Sequence, residues 1–131
     1  MITPETHTGG CLCGGVRYSL RGVLRPVIAC HCGQCRRTSG HYAAMTSVPT
    51  RDLVLTSSGT LSWYRSSPRA ERGFCRVCGG NLFWRPEGED RTAITAGTLD
   101  LPTGLELAEH IFVDDKSDYY VLDDGVPQRR Q

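Results

Sequence analysis

The chain has 131 residues, a length that suits one domain with a modest hydrophobic core, which a bound metal would help to stabilise. Its net charge is +1, from 15 basic and 14 acidic residues, and no long basic run occurs, so we expect no nucleic-acid partner. No apolar run is long enough to cross a membrane and residues 1–10 lack an apolar signal region. We therefore expect a cytoplasmic protein, and the sequence leaves its oligomeric state open.

Short strands separated by turn residues recur along the chain, and no long window shows helical periodicity, so the sequence predicts an all-β protein. The predicted strands are residues 16–20, 23–29, 41–48, 53–56, 61–65, 81–85, 92–96 and 108–113. The strands over 53–56 and 61–65 are expected to form a hairpin. One short helical turn is expected at residues 36–40, and residues 66–73 are expected to be a polar connection.

Both ends of the chain are polar, and residues 1–8 and 128–131 are expected to be loose tails of a single domain over residues 1–131. Residues 115–131 are also largely polar. Their most apolar stretch is Tyr119, Tyr120 and Val121, which we expect to anchor this segment to the rest of the protein.

Seven cysteines are the most informative feature of the sequence. Cys30, Cys32 and Cys35, the central cysteines, lie in the pattern C-x-C-x-x-C. The flanking cysteines lie before and after this cluster: Cys11, Cys13, Cys75 and Cys78. An odd number without a secretion signal favours reduced, metal-binding thiols over disulfides.

The flanking cysteines lie in two short motifs that both end in Cys-Gly-Gly and lead into a strand. Zinc prefers four ligands in a tetrahedron, and thiolates suit it well. The two motifs together supply four sulfurs, and one bound zinc ion would cross-link parts of the chain more than sixty positions apart. The sequence therefore predicts a closed structural zinc site that contributes directly to folding.

The central cysteines are one ligand too few for a closed thiolate site. In an extended C-x-C segment, residues i and i+2 lie on the same side, so Cys30 and Cys32 can share a metal and Cys35 can fold back toward them. Three protein ligands with one exchangeable position are typical of catalytic zinc. We therefore predict a second, catalytic zinc site, which binds a substrate thiol as thiolate and loses its metal more easily than the structural site.

Other arrangements agree with the same residues. His41 or His110 would close a second structural site as a Cys₃His set. Two of the central cysteines would alternatively share a metal with Cys75 and Cys78. A third hypothesis is a metal-free redox cluster, which predicts reversible oxidation among the central cysteines.

Several side chains near the central cysteines have two interpretations. His31 is expected to face away from the metal, as a polar neighbour or, alternatively, as an acid–base group. Arg36 and Arg37 either compensate thiolate charge at the surface or bind the carboxylate of an anionic substrate. The aromatic residues Trp63, Phe83 and Trp84 are expected to lie in the core rather than in a substrate site.

Three motifs together resemble the glutathione-dependent formaldehyde-activating enzyme family. They are Gly-Gly-Cys-Leu-Cys-Gly at 9–14, Cys-His-Cys-Gly-Gln-Cys-Arg-Arg-Thr-Ser-Gly at 30–40 and Phe-Cys-Arg-Val-Cys-Gly-Gly-Asn-Leu at 74–82. The segment His110-Ile111-Phe112-Val113, with Lys116 and Pro127, is similar to the C-terminal pattern of that family. One departure is that relatives often carry a tryptophan after the lysine, where this chain has Tyr119 and Tyr120.

The resemblance implies an antiparallel, zinc-stabilised β-tent with a few short helical turns. It implies that the flanking cysteines hold structural zinc and that the central cysteines hold catalytic zinc. It implies a carbon–sulfur lyase that joins formaldehyde to glutathione, giving S-hydroxymethylglutathione, with glutathione or a similar small thiol as partner. The alternative is a zinc-stabilised binding module without activity, since the same family includes a centromere-associated protein of eukaryotes.

Overall fold

The computed structural model describes residues 6–131, which form ten strands, one α-helix and three short 3-10 turns. The strands are β1 (Thr6–Gly10), β2 (Arg17–Arg21), β3 (Val27–Cys30), β4 (Ala43–Val48), β5 (Leu53–Ser57), β6 (Leu61–Ser67), β7 (Ala70–Cys75), β8 (Asn81–Pro86), β9 (Thr92–Thr95) and β10 (Leu107–Ile111). The helix α1 spans Gly33–Ser39. The predicted all-β class with few helical turns is confirmed.

The strands form two sheets, one of three strands in the order β1-β2-β5 and one of seven in the order β10-β3-β4-β9-β8-β7-β6. All neighbouring strands are antiparallel except β10 and β3, which are parallel. This parallel pair places β10 and the segment after it beside the loop that carries the central cysteines.

The main core contains apolar side chains from both sheets. In β2, alternation buries Tyr18 and Leu20, which join Leu82 and Ile94 of the large sheet in one buried cluster. Ala93, the neighbour of Ile94 in β9, faces the other side of the sheet and packs in a smaller cluster with Cys35. The large sheet therefore has its core on one side and the central cysteines on the other.

The predicted hairpin between residues 53–56 and 61–65 is wrong, although both strands exist. β5 pairs with β2 in the small sheet, and β6 pairs with β7 in the large sheet. The link between β5 and β6 bonds to the second cysteine motif, because the carbonyl oxygen of Thr60 accepts from the Arg76 N–H at 2.9 Å. The link at residues 58–60 thus joins two sheets instead of closing a hairpin.

Both expected tails are partly ordered by backbone hydrogen bonds. Residues 1–5 lie outside the described part of the chain, but Thr6–Gly10 form β1 against β2. At the other end Gln128 bridges to His110, and the Arg129 carbonyl accepts from the Val113 N–H at 3.1 Å. Residues 6–8 and 128–130 are therefore held by backbone hydrogen bonds to neighbouring segments.

No helix in residues 6–131 has the length and apolar character needed to span a membrane.

Replacing Tyr18 with phenylalanine is expected to cost about 1 kcal/mol at neutral pH, because its buried hydroxyl lies 2.7 Å from the Thr98 hydroxyl. Burial raises the pKa of Tyr18 from 10.0 to about 12. The raised pKa of Tyr18 means that its protonated hydroxyl stabilises the folded state fully at pH values below the unfolded pKa. This stabilisation is lost as the pH rises through the folded pKa. Urea unfolding should show a smaller difference between the two proteins at about pH 11 than at about pH 8. An unchanged difference would contradict this linkage.

Candidate metal centres and substrate cavity

The flanking cysteines come together in one group, with all four sulfur atoms within 4.8 Å of one another. The Cys13 sulfur lies 3.7 Å from that of Cys11 and 3.6 Å from that of Cys75. A tetrahedral zinc ion with Zn–S bonds of about 2.3 Å needs sulfur–sulfur edges of about 3.8 Å. The donor set and its spacing therefore fit zinc.

The two cysteine motifs are shaped by tight turns that direct backbone N–H groups at the sulfurs. The Val16 N–H donates to Cys11 Sγ at 3.3 Å, and the Cys78 N–H donates to Cys75 Sγ at 3.4 Å. Gly79 lies in the left-handed region with φ of 78°, which favours glycine in the second turn. The Thr60 hydroxyl, followed by the Cys78 N–H, lowers the pKa of Cys75 to about 6, which favours the thiolate that a metal needs.

The central cysteines form a second group, with their three sulfur atoms also within 4.8 Å of one another. Cys30 ends β3, Cys32 is the N-cap of α1, and Cys35 lies in its first turn. The Cys35 N–H donates to Cys32 Sγ at 3.4 Å. The Cys30 thiol, followed by the Cys35 thiol, lowers the pKa of Cys32, so one thiolate is stabilised even without a metal.

The alternative ligand sets do not form. Cys75 and Cys78 group only with Cys11 and Cys13. Among residues 6–131 no histidine or carboxylate joins the central cysteines. His110 instead bonds to His31 and Asp124, and His41 bonds to the hydroxyl of Tyr119.

A cavity of about 430 Å³ lies against the central cysteines. Apart from those cysteines, its lining residues are Arg25, Ile28, Gln34, Met45, Ser67, Arg72, Trp84, Arg91, Ala93, Ile111 and Phe112. Three of these are arginines and none is acidic. The group of three sulfurs therefore faces a space with a cationic and partly apolar wall, which suits an anionic ligand.

Arg72 is a buried cation in contact with the central cysteines. It is only 8% exposed, and its Nη2 lies 3.8 Å from Cys35 Sγ and 3.3 Å from Gln34 Oε1. Its Nε is buried without a hydrogen-bond partner, and no carboxylate of residues 6–131 forms a salt bridge with it. The polar groups in contact with this buried charge are therefore the Cys35 sulfur and the Gln34 side chain.

Arg25 and Arg91 supply further positive charge to the cavity. Burial, followed by the charge of Arg91, lowers the pKa of Arg25, so the two guanidinium groups repel each other. Arg25 donates to the Met45 carbonyl at 2.8 Å, whereas Arg91 bonds to the exposed Glu89 at 2.8 Å. An anion bound between the two arginines would relieve this repulsion.

The structure changes the roles expected of several residues. Arg36 and Arg37 do not line the cavity, and Arg37 is exposed. Phe83 lies in the core as predicted, and Trp63 packs against it, whereas Trp84 lines the cavity. The three cavity arginines were missed because they lie in separate segments, and no local sequence motif connects them.

His31 faces away from the central cysteines, as predicted from its place in the C-x-C segment. It is 0% exposed, and its Nε2 lies 2.9 Å from His110 Nδ1. Burial, followed by the charge of His110, lowers the pKa of His31, which favours the neutral ring. It is not among the residues that line the cavity.

Two groups of cysteines on a two-sheet β framework, one with four sulfurs and one with three beside a cationic cavity, define a class of small β protein that could hold metal ions. The chain belongs to the glutathione-dependent formaldehyde-activating enzyme family, whose sequence model matches residues 6–115.

Individual relatives agree with this assignment. An uncharacterised lyase of Schizosaccharomyces pombe is 28% identical over 121 residues, which are 89% of this chain and 85% of the relative. A crystal structure of a Rhodobacter sphaeroides protein has a TM-score of 0.59 at 24% identity, covering 74% of this chain and 91% of that chain. The second comparison supports the fold alone.

Proposed function

We propose that the protein is a zinc-dependent carbon–sulfur lyase that joins formaldehyde to glutathione or to a similar anionic thiol. Membership of the family and the lyase named among its relatives support a lyase-type enzyme that uses glutathione. The observation that carries the proposal is the cavity beside the central cysteines, which three arginines line without any acidic residue. Glutathione, with two carboxylates and one thiol, matches this combination.

The two groups would take different metal roles. The flanking cysteines would hold a structural zinc ion, and the central cysteines would hold a second one. Bound there, zinc would supply a position at which a substrate thiol is held as thiolate. Three cysteine thiolates outweigh the charge of one divalent ion, so the guanidinium of Arg72 is well placed to compensate the excess.

The residues of the chain would bind and orient the substrate. Arg25 and Arg91 would bind a carboxylate, and the apolar walls formed by Met45, Trp84 and Phe112 would exclude water from the reacting atoms. The substrate sulfur, which has released its proton to solvent, then forms a bond to the aldehyde carbon, the carbon–oxygen π bond breaks, and the oxygen takes up one proton from solvent in its place. Since thiols add to formaldehyde unaided, most of the gain would come from holding the partners together.

Replacing Arg25 with glutamine is expected to weaken glutathione binding about tenfold, because a charged hydrogen bond to a carboxylate is lost. Binding of 2-mercaptoethanol, which has no carboxylate, should be unchanged. The matched control is Arg37→Gln, which removes the same charge from an exposed position outside the cavity. Isothermal titration of the zinc-loaded proteins measures both affinities, and equal weakening for the two thiols would contradict carboxylate binding by Arg25.

The proposed reaction is tested by zinc stoichiometry and product formation together. Native mass spectrometry with and without glutathione should show two zinc ions, one of them labile or carrying glutathione. NMR with ¹³C-formaldehyde should then show S-hydroxymethylglutathione forming faster with the protein than without it. Two tightly bound zinc ions that are unaffected by glutathione, with no rate increase, would instead favour the binding module.

A further inference from the structure

A chain of hydrogen-bonded side chains connects the C-terminal segment, residues 116–131, to the loop that carries the central cysteines. The Tyr120 hydroxyl lies 3.2 Å from His31 Nδ1. His31 Nε2 lies 2.9 Å from His110 Nδ1, and His110 Nε2 lies 2.8 Å from a carboxylate oxygen of Asp124. Both histidines are buried, with exposures of 0% and 1%, so their ring nitrogens depend on these partners.

When both rings are neutral, the carboxylate at one end fixes the direction of every hydrogen bond in this series. Since the Asp124 carboxylate only accepts, the single proton of His110 then lies on Nε2, and its Nδ1 accepts. His31 must therefore donate from Nε2, which leaves its Nδ1 to accept from the Tyr120 hydroxyl. With both rings neutral, every polar group in the chain has a partner, and removing Asp124 leaves the ordering undefined.

These hydrogen-bonded side chains contact the backbone between two of the proposed ligands, Cys30 and Cys32. His31 lies between Cys30 and Cys32, and its N–H donates to the Ile111 carbonyl at 3.0 Å. The backbone of His110 is tied to the C-terminal segment, because its N–H donates to the Pro127 carbonyl and its carbonyl accepts from the Arg129 N–H. A shift of the His31 ring would therefore move the backbone that positions Cys30 and Cys32.

Two of the four hydrogen-bonded side chains lie outside the part of the protein that the family model matches. The family model matches residues 6–115, whereas Tyr120 and Asp124 lie beyond it. Of the three residues expected to anchor this segment, Tyr119 and Val121 are 63% and 79% exposed, whereas Tyr120 is half-buried and its hydroxyl bonds to His31. The polar contacts of Tyr120 and Asp124 thus add to the backbone bonds that attach the C-terminal segment at Pro127 and Arg129.

We propose that Asp124 and Tyr120 are positioning residues that hold the loop of the central cysteines in its metal-binding conformation through His31 and His110. The inference rests on the metal proposed for the central cysteines and not on the reaction proposed for the protein. Loss of the chain is expected to loosen only this site, because the flanking cysteines lie in other parts of the fold. The closed site therefore serves as an internal control in the same molecule.

The test is zinc release from the full-length, fully loaded protein to an excess of a colour-forming chelator. The wild type should show a fast phase from the central cysteines and a slow phase from the flanking cysteines, and Cys35→Ser should remove the fast phase. In Asp124→Ala, we expect the fast phase to accelerate about tenfold, as for other groups that orient metal ligands, with the slow phase unchanged. Tyr120→Phe should accelerate the same phase, since it removes the donor to His31.

Two variants separate positioning from general destabilisation. Asp123→Ala removes an exposed carboxylate for which residues 6–131 offer no side-chain hydrogen bond, and it should release zinc like the wild type. Asp124→Asn keeps an oxygen that accepts from His110, so its fast phase should have the wild-type rate. Equal acceleration of both phases, no acceleration, or a wild type with a single phase would overturn the proposal. None of these outcomes depends on glutathione, so they stay distinct from failure of the proposed reaction.

Discussion

Replacing Cys75 with alanine is expected to leave the protein largely unfolded at 25 °C. Cys75 is 0% exposed and belongs to the group that joins the first and second cysteine motifs. Structural zinc sites contribute an apparent binding free energy of about 10–16 kcal/mol, whereas the whole domain is expected to be stable by only about 5–15 kcal/mol. Loss of one ligand in four removes much of the zinc-binding free energy. Circular dichroism during urea unfolding, in buffer containing zinc, measures the effect.

Cys35→Ala is the matched control for this experiment. Cys35 is also buried, at 6% exposed, but it belongs to the central cysteines and packs in the smaller cluster. Its replacement should cost about 1–2 kcal/mol of packing and leave the fold intact. If the Cys75 and Cys35 variants lose the same stability, the flanking cysteines do not form a structural site of the proposed kind.

Much of the fold could be predicted because its signals are local. The alternation that buries Tyr18 and Leu20 is visible in β2, and Gly40, with φ of 79°, ends α1 where the sequence predicts the end of a helical turn. Pairing of strands is not local. β5 and β6 belong to different sheets, and the sequence of the short link between them does not distinguish that arrangement from a hairpin.

The strand β7 was missed because its sequence is partly charged. Residues 66–73 resemble a polar connection, but Glu71 and Arg72 lie within β7, and Arg72 is buried beside the central cysteines. A charge that is compensated by a thiolate can lie in a buried strand, and the sequence shows only the charge. The same reason hides Arg25 and Arg91, which enter the cavity from other segments.

The ligand groups were predictable to a greater extent than the residues around them. Spacing favoured separate central and flanking groups but left open a mixed set with Cys75 and Cys78, and the structure brings the cysteines together in the two separate groups. The contacts of His31 could not be derived in this way. They depend on the parallel pairing of β10 with β3 and on Tyr120 and Asp124 of the C-terminal segment, which no local sequence pattern connects to His31.

Replacing Cys32 with serine is expected to abolish the enzyme-dependent formation of the glutathione adduct while preserving the fold. Cys32 is the N-cap of α1, and its sulfur accepts from the Cys35 N–H. Serine is a favourable N-cap, so the hydroxyl oxygen keeps that bond and the free energy of unfolding should change by less than about 1 kcal/mol. The soft thiolate is lost, however, and with it one of only three ligands for zinc.

The expected outcome is a fall from two bound zinc ions to one and a loss of at least about 100-fold in the protein-dependent rate, measured by native mass spectrometry and ¹³C NMR. Ser67→Ala is the control, because Ser67 lines the same cavity without belonging to a cysteine group, and it should retain both zinc ions and most of the rate. A Cys32→Ser protein that keeps its second zinc ion and its rate would show that the reaction does not depend on the central cysteines. Because the serine preserves the helix cap, loss of activity in a stable variant would locate the chemistry at this sulfur rather than in the fold around it.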